Sequence, residues 1–469
     1  MTERPAACDI AIIGAGSAGF SAAITAAGQG ARVALIGRGT LGGTCVNVGC
    51  VPSKTLIRAV GNLHQARAAA RFAGIRGQAE LTDWRALVAQ KDALVAGLRQ
   101  RKYADLLAAY EGIDYFEGPG RLADGGVTVN GSHIRTERVV VTTGARPALP
   151  AIPGIDGVHC LTSTSALALD RLPESLLVLG GGYIGVELAQ LFARAGVAVT
   201  LVCRSRLLPA AEPEISQALK GCFEDEGIRS LTGVSYGALR RTGQGSELRI
   251  TRGGHEERLH AEQVLVATGR RPNTEHLGLD EAGVECDGRG AIAVDAYLRT
   301  SRAGVYAAGD VTGRDPFVYM AAYGARLAAG NALNGDTRRY DSTGMPAVVF
   351  TDPQVASAGL TERQARDRGL RVRRAVLPLE HVPRALAARD TRGLIKLVAA
   401  ADTDRLLGAH ILAPEGGDSI QTAALAIRQG LTVRELADMI YPYLTTVEGL
   451  KLAAQSFDQD VARLSCCAG

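Results

Sequence analysis

Two stretches of the chain share one pattern of apolar and glycine positions. Each begins with an apolar strand, turns through closely spaced glycines and continues into a helix of mostly apolar residues; they read DIAIIGAGSAG (9–19) and SLLVLGGGYIG (175–185). The glycines in G-x-G-x-x-G spacing are Gly14, Gly16 and Gly19 in the first stretch and Gly180, Gly182 and Gly185 in the second. Such glycines let the backbone approach a pyrophosphate at the start of a helix. Because a strand and a helix flank both copies, the pattern predicts two dinucleotide-binding units.

Shorter apolar runs indicate how each unit closes. The strings VVVTTGARP (139–147) and VLVATGRRP (264–272) predict buried strands that run into a Thr-Gly turn, and Gly269 in the second string is a candidate cofactor-binding residue. A further apolar strand, VYAAGDVT (305–312), places Asp310 near its end. A carboxylate there can accept hydrogen bonds from the ribityl hydroxyls of a flavin, although an ordinary turn aspartate is the simpler alternative.

The residue that ends the second strand of each unit indicates which dinucleotide binds there. An acid at this position holds a ribose 2′-hydroxyl, whereas arginine accommodates a 2′-phosphate. In the second unit the position is Cys203, followed by Arg204 and Arg206, which favours NADPH over NADH. In the first unit it is Gly37. We therefore expect water or neighbouring backbone to hold the adenosine ribose there, and Gly37→Glu to tighten flavin binding.

Composition and charge exclude several classes of function. The chain of 469 residues is long enough for about three domains. Its 52 basic and 48 acidic residues give a net charge of +4 without a long basic block, which argues against binding to nucleic acid or to a membrane surface. The stretch 10–31 is uncharged, but Glu3, Arg4 and Asp9 make a poor start to a signal peptide. We expect a cytoplasmic protein without a transmembrane helix.

The cysteines point to redox chemistry at one loop. The chain has nine, an odd and mostly scattered set that argues against a secreted disulfide framework. Cys45 and Cys50 lie in GGTCVNVGCVPSK (42–54), where Pro52 favours the first turn of a helix. A helix N-terminus lowers the pKa of a nearby thiol. The pair is therefore predicted to form a two-electron relay beside a bound flavin, with Lys54 stabilising the reduced flavin.

Together, the GGTCVNVGCVPSK string, the two glycine motifs and the AAGD strand resemble the pyridine nucleotide–disulfide oxidoreductases over essentially the whole chain. The resemblance implies an α/β fold with two Rossmann-like dinucleotide-binding domains, one for FAD (1–150 and 271–343) and one for NADPH (151–270). It also implies a C-terminal α+β dimerisation domain (344–469) and a homodimer in which that domain completes the active site of the partner subunit.

The resemblance also assigns roles to single residues. Cys45 would be the thiol that meets the substrate, and Cys50 the thiol that contacts the flavin. Lys54 and Glu187 would pair beside the isoalloxazine ring, although Glu187 could merely complement a helix dipole. Tyr183 would cover the nicotinamide pocket. The residues that match the lining of the FAD site are Gly39, Thr44, Gly120 and Val318.

The C-terminal region lacks the histidine that disulfide-reducing members of this family use as a general acid. Tyr443 stands at the corresponding position in YPYLTTVEGLKLAAQ (441–455), and no histidine follows His410. A phenol with a pKa of about 10 cannot shuttle protons at neutral pH as an imidazole does. Efficient cleavage of a disulfide substrate is therefore not expected.

Cys466 and Cys467, near the end of the chain, are adjacent residues. Their Cα atoms must lie about 3.8 Å apart, which is below the usual disulfide range of roughly 4.4–6.8 Å. The pair should stay a dithiol, and soft thiolates bind soft cations. A helix predicted over 446–464 would hold this dithiol near the subunit interface.

This cysteine pair resembles that of the mercury-reducing members of the family. The resemblance implies that Cys466 and Cys467 of one subunit bind Hg(II) and pass it to the Cys45 and Cys50 pair of the other subunit. It also implies that Tyr103 and Tyr443 flank that site. Alternatively, Tyr103 could simply pack in the core from a helix predicted over 84–110.

We therefore expect NADPH-driven reduction of Hg(II) to elemental mercury. A disulfide reductase for an unusual low-molecular-weight thiol is the enzymatic alternative, and a protein that sequesters soft metals is the alternative from another class. The sequence has no CxxC motif, so we expect a catalytic core without the N-terminal metal-binding domain of some relatives.

Overall fold

The structure is a computed structural model that describes residues 7–460. Its strands, in chain order, are β1 Ile10–Ile13, β2 Val33–Gly37, β3 Ile113–Glu117, β4 Gly120–Ala123, β5 Gly126–Val129, β6 Ser132–Arg135, β7 Val139–Val141, β8 Ala145–Pro147, β9 Ser175–Leu179, β10 Ala198–Val202, β11 Arg229–Leu231, β12 Val234–Thr242, β13 Gly245–Arg252, β14 His255–Ala261, β15 Gln263–Val266, β16 Arg270–Pro272, β17 Val305–Ala307, β18 Pro346–Val349, β19 Gln354–Gly359, β20 Val372–Pro378, β21 Leu394–Ala400 and β22 Leu406–Ala413. Its α-helices are α1 Ser17–Ala27, α2 Gly43–Val48, α3 Cys50–Ala68, α4 Trp84–Arg99, α5 Asp105–Ala109, α6 Ser163–Ala166, α7 Tyr183–Arg194, α8 Pro213–Asp225, α9 Val318–Asn334, α10 Glu362–Asp367, α11 Pro383–Ala388, α12 Gly416–Gln429, α13 Val433–Asp438 and α14 Glu448–Gln455.

The first of two compact units comprises the described residues from 7 to 55, together with 85–148 and 269–341. Its centre is a parallel sheet in the order β17-β7-β1-β2-β3. Every residue of β1 and β2 is buried, because elements cover both faces of a parallel sheet and its inner strands are apolar throughout. Helices α1 and α9 pack together against one face. An antiparallel β4-β5-β6 meander lies against the other face.

The second unit comprises residues 56–84 and 149–268, together with the described residues from 342 to 460. It contains a parallel sheet in the order β11-β10-β9-β15, which repeats the β3-β2-β1-β7 order of the first unit, and an antiparallel β12-β13-β14 meander. The two glycine motifs lie at matching places, after β1 and after β9. The internal repeat predicted from the sequence is thus present in the fold.

The second unit also holds an antiparallel sheet in the order β18-β19-β22-β21-β20. Helices α12, α13 and α14 pack their apolar faces on it and form one core with its strands. The Lys396 ammonium on β21 is buried among three carboxylates, with Nζ–O distances of 3.0 Å to Glu212, 2.9 Å to Glu214 and 3.0 Å to Glu362. This ion cluster joins the start of α8 to the sheet.

These observations decide several sequence predictions. The α/β fold class with a C-terminal antiparallel sheet is confirmed. The division into 1–150 with 271–343, 151–270 and 344–469 stays a prediction. The helix predicted over 84–110 is present as α4, a π-helical turn over Gln100–Ala104, and α5. Among the described residues, no helix combines the length and apolar character needed to cross a membrane.

The helix predicted over 446–464 is wrong in extent. Helix α14 spans only Glu448–Gln455, and the chain then turns. The physical reason lies after the helix, where the Arg373 guanidinium stacks 5.2 Å from the centre of the Phe457 ring. Arg373 also donates a hydrogen bond to the Phe457 carbonyl at 3.2 Å and pairs with the Asp458 carboxylate. These contacts favour a turn over continued helix.

Candidate active site

The first glycine turn is built for close backbone contact. Gly14 has φ +124°, and a Cβ on it would lie 2.4 Å from the Thr142 carbonyl oxygen. A Cβ on Gly19 would lie 1.7 Å from the Gly14 oxygen, so helix α1 can start this close to β1 only with glycine there. At Gly16 the nearest atom to a built Cβ is the Gly43 Cα, 3.6 Å away. The middle glycine therefore leaves a cradle, which fits the pyrophosphate of FAD at the start of α1.

The second glycine turn repeats this geometry. Gly180 has φ +111°, and its Cβ would lie 2.3 Å from the Ala267 oxygen. A Cβ on Gly185 would lie 1.9 Å from the Gly180 oxygen, while that of Gly182 meets no described heavy atom within 4 Å. Tyr183 opens helix α7 beside this space, and burial raises the pKa of its phenol. The turn fits the pyrophosphate of NADPH.

The predicted thiol pair comes together at a break between two helices. Cys45 lies on α2, and Cys50 begins α3. Both are half-buried, neither is in a disulfide, and they share a hydrogen bond. This hydrogen bond and burial raise the pKa of Cys45 well above its usual value, with the Lys54 charge opposing weakly.

Side chains from two neighbouring elements fix the loop that carries the thiols. The Asn47 amide donates to the carbonyls of Leu41 and Gly43, both at 2.8 Å. The Arg99 guanidinium donates to the Asn47 side-chain oxygen at 3.1 Å. Both residues were missed by the sequence reasoning, because nothing in the motif shows that helix α4 returns to it.

Asp310 lies at the end of the β17 segment, as predicted, and opens a short 3₁₀ turn. The Arg270 guanidinium lies 3.7 Å from its carboxylate and donates to the Ala145 carbonyl. Burial raises the pKa of Asp310, with Arg270 opposing. Arg270 is a third residue that the sequence reasoning missed; it directly follows Gly269 in VLVATGRRP (264–272).

Glu187 is buried on α7 and accepts a 2.8 Å hydrogen bond from the Phe350 backbone N–H. This contact, not foreseen from the sequence, ties the NADPH-binding helix to the end of β18 within the second unit. Lys54 belongs to the first unit and Glu187 to the second, and their pairing stays a prediction.

Tyr103 lies in the π-helical turn between α4 and α5. Its ring packs edge-on against Phe20 with centres 4.8 Å apart, and its hydroxyl lies 3.3 Å from the Ser17 hydroxyl at the start of α1. The structure thus places Tyr103 beside the first glycine turn. Its core packing is observed, and its predicted role at the mercury site stays a prediction.

The other FAD-site predictions lie on the first unit. Gly39 has φ +82°. Gly269, which the sequence predicts to bind a cofactor without indicating which one, also belongs to this unit and has φ +130°. Thr44 is exposed, and Val318 begins α9. A Cβ on Gly120 would lie 2.8 Å from the Ile13 side chain, so this position is closed by packing on β1. Their contacts with FAD stay predictions.

The structure separates the two arginines predicted to read the 2′-phosphate. Arg204 is exposed just after β10. Arg206 is turned into its own loop, donating to the carbonyls of Pro209 at 3.0 Å and Ala211 at 2.7 Å. Arg204 therefore has its guanidinium available to a ligand, whereas Arg206 shapes the loop. Both assignments stay predictions, with Arg204 the stronger.

Tyr443 lies in an exposed apolar strip before α14. Ile440 is 99% exposed, Tyr443 53% and Leu444 43%. The Leu444 N–H donates to the Glu448 carboxylate at 3.1 Å, which fixes the loop on the helix. Cys466 and Cys467 lie outside the described residues. Over 7–460, no three His, Cys, Asp or Glu side chains gather to hold a metal ion.

The expectation that Gly37→Glu tightens flavin binding conflicts with the packing. A Cβ at Gly37 would lie 2.6 Å from the Ala15 Cβ and 2.9 Å from the Tyr115 hydroxyl. Real Cβ atoms do not approach this closely, so a larger side chain cannot enter without displacing the glycine turn or β3. The expectation is corrected: the substitution should weaken flavin binding.

Comparison with known proteins agrees with this architecture. The family model described as pyridine nucleotide-disulphide oxidoreductase matches residues 8–329, and the model of its dimerisation domain matches residues 345–454. The chain is 48% identical to the mercuric reductase of Streptomyces lividans, with all of both chains covered. It is 47% identical to that of Staphylococcus aureus, covering 98% of this chain and 84% of the relative. The resemblance to mercury-reducing members is thereby confirmed.

Solved structures of other proteins share this fold. The Cu(II) complex of the HOCl-induced flavoprotein disulfide reductase RclA from Escherichia coli is 30% identical, with a TM-score of 0.83, covering 96% of this chain and 99% of that one. LpdA from Mycobacterium tuberculosis is 28% identical with the same TM-score of 0.83, covering 95% and 99%. The cofactors are FAD and NADPH, which the two glycine cradles fit. The chain belongs to the pyridine nucleotide–disulphide oxidoreductase family.

Proposed function

We propose that this enzyme reduces Hg(II) to elemental mercury with NADPH. The electrons balance: NADPH gives up a hydride, Hg(II) takes its two electrons, and NADP⁺, a proton and Hg(0) result. FAD, when bound, carries the two electrons from NADPH to the sulfur-bound ion. The observation that carries the proposal is the hydrogen-bonded thiol pair Cys45 and Cys50 in a chain with no histidine after His410.

The thiol pair suits a soft dication. Thiolates are the preferred ligands of soft metals, and metal binding displaces thiol protons even where their pKa is raised. Cys45 and Cys50 are half-buried and close enough to share a hydrogen bond, so two sulfurs can bind one ion together. When Hg(II) is reduced, both Hg–S bonds break and two thiolates remain, so no new disulfide has to form.

The missing histidine fits this reaction. A disulfide substrate releases a thiolate leaving group that needs a proton, and an imidazole supplies it at neutral pH. Reduction of a sulfur-bound ion releases neutral mercury and leaves the enzyme thiolates in place. Tyr443, more than half exposed before α14, suffices as a neutral hydrogen-bonding or weak oxygen ligand along the entry path.

Delivery of the ion is proposed to use a second subunit. The dimerisation-domain match over residues 345–454 supports a homodimer. Cys466 and Cys467 of one subunit would take Hg(II) from small thiols by exchange and pass it to Cys45 and Cys50 of the other subunit. Adjacent thiols suit this transfer because they cannot readily close into a disulfide.

The test is steady-state NADPH oxidation with Hg(II) in excess thiol. Cys45→Ser and Cys50→Ser should each abolish it, because one thiol is insufficient to hold the ion for reduction. Cys286→Ser is the matched control, since that exposed thiol can bind Hg(II) but lies outside the proposed pair. Full activity in Cys45→Ser would overturn the proposal.

A disulfide reductase is the second candidate. The 30% identity and TM-score of 0.83 to the flavoprotein disulfide reductase RclA favour it. It predicts NADPH oxidation with a disulfide in the absence of Hg(II), and little loss in the Cys466→Ala/Cys467→Ala double variant. The mercury proposal predicts the reverse on both counts, so the same two assays separate them.

A further inference from the structure

The first unit has no acidic residue at the end of its second strand to hold an adenosine ribose. The hydroxyl of another side chain occupies the space that the acid would fill. Gly37 ends β2, and the strand pairs in parallel with β3, where Leu35 lies opposite Tyr115 and Gly37 opposite Glu117. The Tyr115 side chain reaches two residues along the strand. Its hydroxyl lies 2.9 Å from the position a Cβ on Gly37 would occupy. A hydroxyl thus stands where an acidic side chain would begin.

The Tyr115 hydroxyl is loosely engaged by the protein. It donates to the Gly37 carbonyl at 3.4 Å, a long hydrogen bond, and that carbonyl already accepts from the Gly118 N–H at 2.8 Å. The hydroxyl can exchange this bond at small cost, because the carbonyl keeps its better partner. The half-buried Tyr115 ring and Ala15 both pack on the core beneath α1, which holds the hydroxyl beside the glycine turn.

This is where the adenosine ribose of a dinucleotide lies, next to the glycine turn at the end of the second strand. A phenol can both donate and accept a hydrogen bond, so it can serve a ribose hydroxyl in either direction. Burial, with a smaller contribution from Glu117, raises the pKa of Tyr115 and keeps it protonated at neutral pH.

We propose that the Tyr115 hydroxyl binds a hydroxyl of the FAD adenosine ribose, in the role that a carboxylate at position 37 otherwise fills. Gly37 is then the residue that makes room for it. The inference rests on FAD binding in the first unit and is independent of whether Hg(II) is the substrate.

The test compares FAD with analogues whose adenosine lacks the 2′- or the 3′-hydroxyl. Apoprotein is titrated with each flavin, and the dissociation constant is read from the quenching of flavin fluorescence. Tyr115→Phe should weaken FAD binding about threefold to tenfold, the effect of one neutral hydrogen bond. For the analogue that lacks the contacted hydroxyl, wild type and Tyr115→Phe should bind equally.

A matched control lies in the second unit. The Tyr236 hydroxyl donates to the Val202 carbonyl at 3.0 Å, at the end of the second strand of that unit. Tyr236→Phe removes a similar bond from the other repeat and should leave the FAD dissociation constant unchanged. Gly37→Glu should weaken FAD binding, and the added Tyr115→Val and Ala15→Gly substitutions should recover part of it by opening space.

Two results would overturn the proposal. One is an equal loss in Tyr115→Phe for FAD and for both deoxy analogues, which a purely structural role would give. The other needs no variant: wild-type protein that binds FAD and both deoxy analogues equally makes no contact with either ribose hydroxyl.

Discussion

The two dinucleotide-binding repeats share their backbone and differ at the end of the second strand. In the first repeat the strand ends in Gly37, and the Tyr115 hydroxyl fills the space with a long 3.4 Å bond to its carbonyl. In the second repeat, Cys203 follows the end of the second strand. The Cys203 sulfur would lie 3.0 Å from a Cβ on Gly181. There Tyr236 makes an ordinary 3.0 Å bond to Val202. The two repeats thus share the glycine turn that fits a pyrophosphate and differ in one small surface beside that turn.

This difference teaches where specificity lies. In the glycine turns, a Cβ would lie less than 2.5 Å from a backbone oxygen at each of four positions, Gly14, Gly19, Gly180 and Gly185. These positions must therefore stay glycine in both repeats, and they cannot distinguish two cofactors. The end of the second strand, where the ribose of a dinucleotide is expected to bind, can vary. An exposed Arg204 suits a 2′-phosphate in one repeat, and a neutral hydroxyl suits an unmodified ribose in the other.

The largest effect is expected from alanine at the last glycine of each turn. Gly19→Ala should yield protein without bound flavin, because its Cβ would lie 1.7 Å from the Gly14 oxygen. Gly185→Ala should keep the flavin and lose NADPH-dependent reduction of it. Absorbance at the flavin bands measures the bound flavin, and titration with NADPH measures the reduction of that flavin. Gly221→Ala, whose Cβ meets no described atom within 4 Å on helix α8, is the control and should change neither. Loss of flavin in Gly185→Ala would show that the repeats do not act separately.

A smaller effect is expected at the ion cluster that anchors the second repeat to the antiparallel sheet. Lys396→Met removes the cation that Glu212, Glu214 and Glu362 share, and the Lys396 side chain is only 1% exposed. The free energy of unfolding should fall by about 3–5 kcal/mol, measured by denaturant titration. The control is Lys220→Met, which removes an i,i+4 ion pair with Glu224 on helix α8. This substitution should cost less than about 1 kcal/mol. Equal losses in both would contradict a special role for the cluster.

The same cluster predicts a dependence on pH. Burial alone would raise the pKa of Glu362, but hydrogen bonds from Arg374 and Lys396 outweigh it and lower the pKa. For Glu214, burial is likewise the largest single influence, but the Lys396 hydrogen bond, a backbone hydrogen bond and the charges of Lys396 and Arg374 together outweigh it and lower the pKa. A carboxylate whose pKa is lower in the folded state stabilises the fold fully at pH values above its unfolded pKa of about 4.3. This stabilisation is lost as the pH falls through the pKa of the folded state. The melting temperature should therefore drop in that acid range, and less steeply in Lys396→Met.

The smallest effect is expected at the arginines of the second repeat. Arg204→Ala should raise the KM for NADPH by about tenfold to a hundredfold, the effect of one charge-assisted hydrogen bond, and leave the KM for NADH unchanged. Arg206→Ala should raise both modestly, because Arg206 holds its loop through Pro209 and Ala211. An NADPH-specific effect larger for Arg206 than for Arg204 would reverse the assignment.

Much of the fold followed from short-range patterns. The glycine turns, the parallel strands around them and the helix that starts at Cys50 are set by local backbone geometry, and the sequence predicted them. The thiol pair was predicted for the same reason, since Cys45 and Cys50 lie on one short loop. Contacts between elements that are distant in sequence were not predicted. Examples are the hydrogen bond from Arg99 to Asn47 and the hydrogen bond from Phe350 to Glu187.

Gly37 shows most clearly why the rest could not be foreseen. From the sequence, a glycine in place of an acid reads as a lost contact that glutamate would restore. Only the register of β2 and β3 reveals that Tyr115 fills that volume. The helix predicted over 446–464 failed similarly, because its apolar pattern continues while Arg373, distant in sequence, engages the turn that ends it.

The most direct test of the central claim is the amount of elemental mercury released per NADPH consumed. Purified protein is given NADPH, Hg(II) and excess thiol in a sealed vessel, and the mercury vapour is quantified as NADPH absorbance falls. Two-electron reduction of a sulfur-bound ion predicts one Hg(0) for each NADPH. Tight retention of Hg(II) with no NADPH consumed, or NADPH consumed only when a disulfide is supplied, would contradict the account.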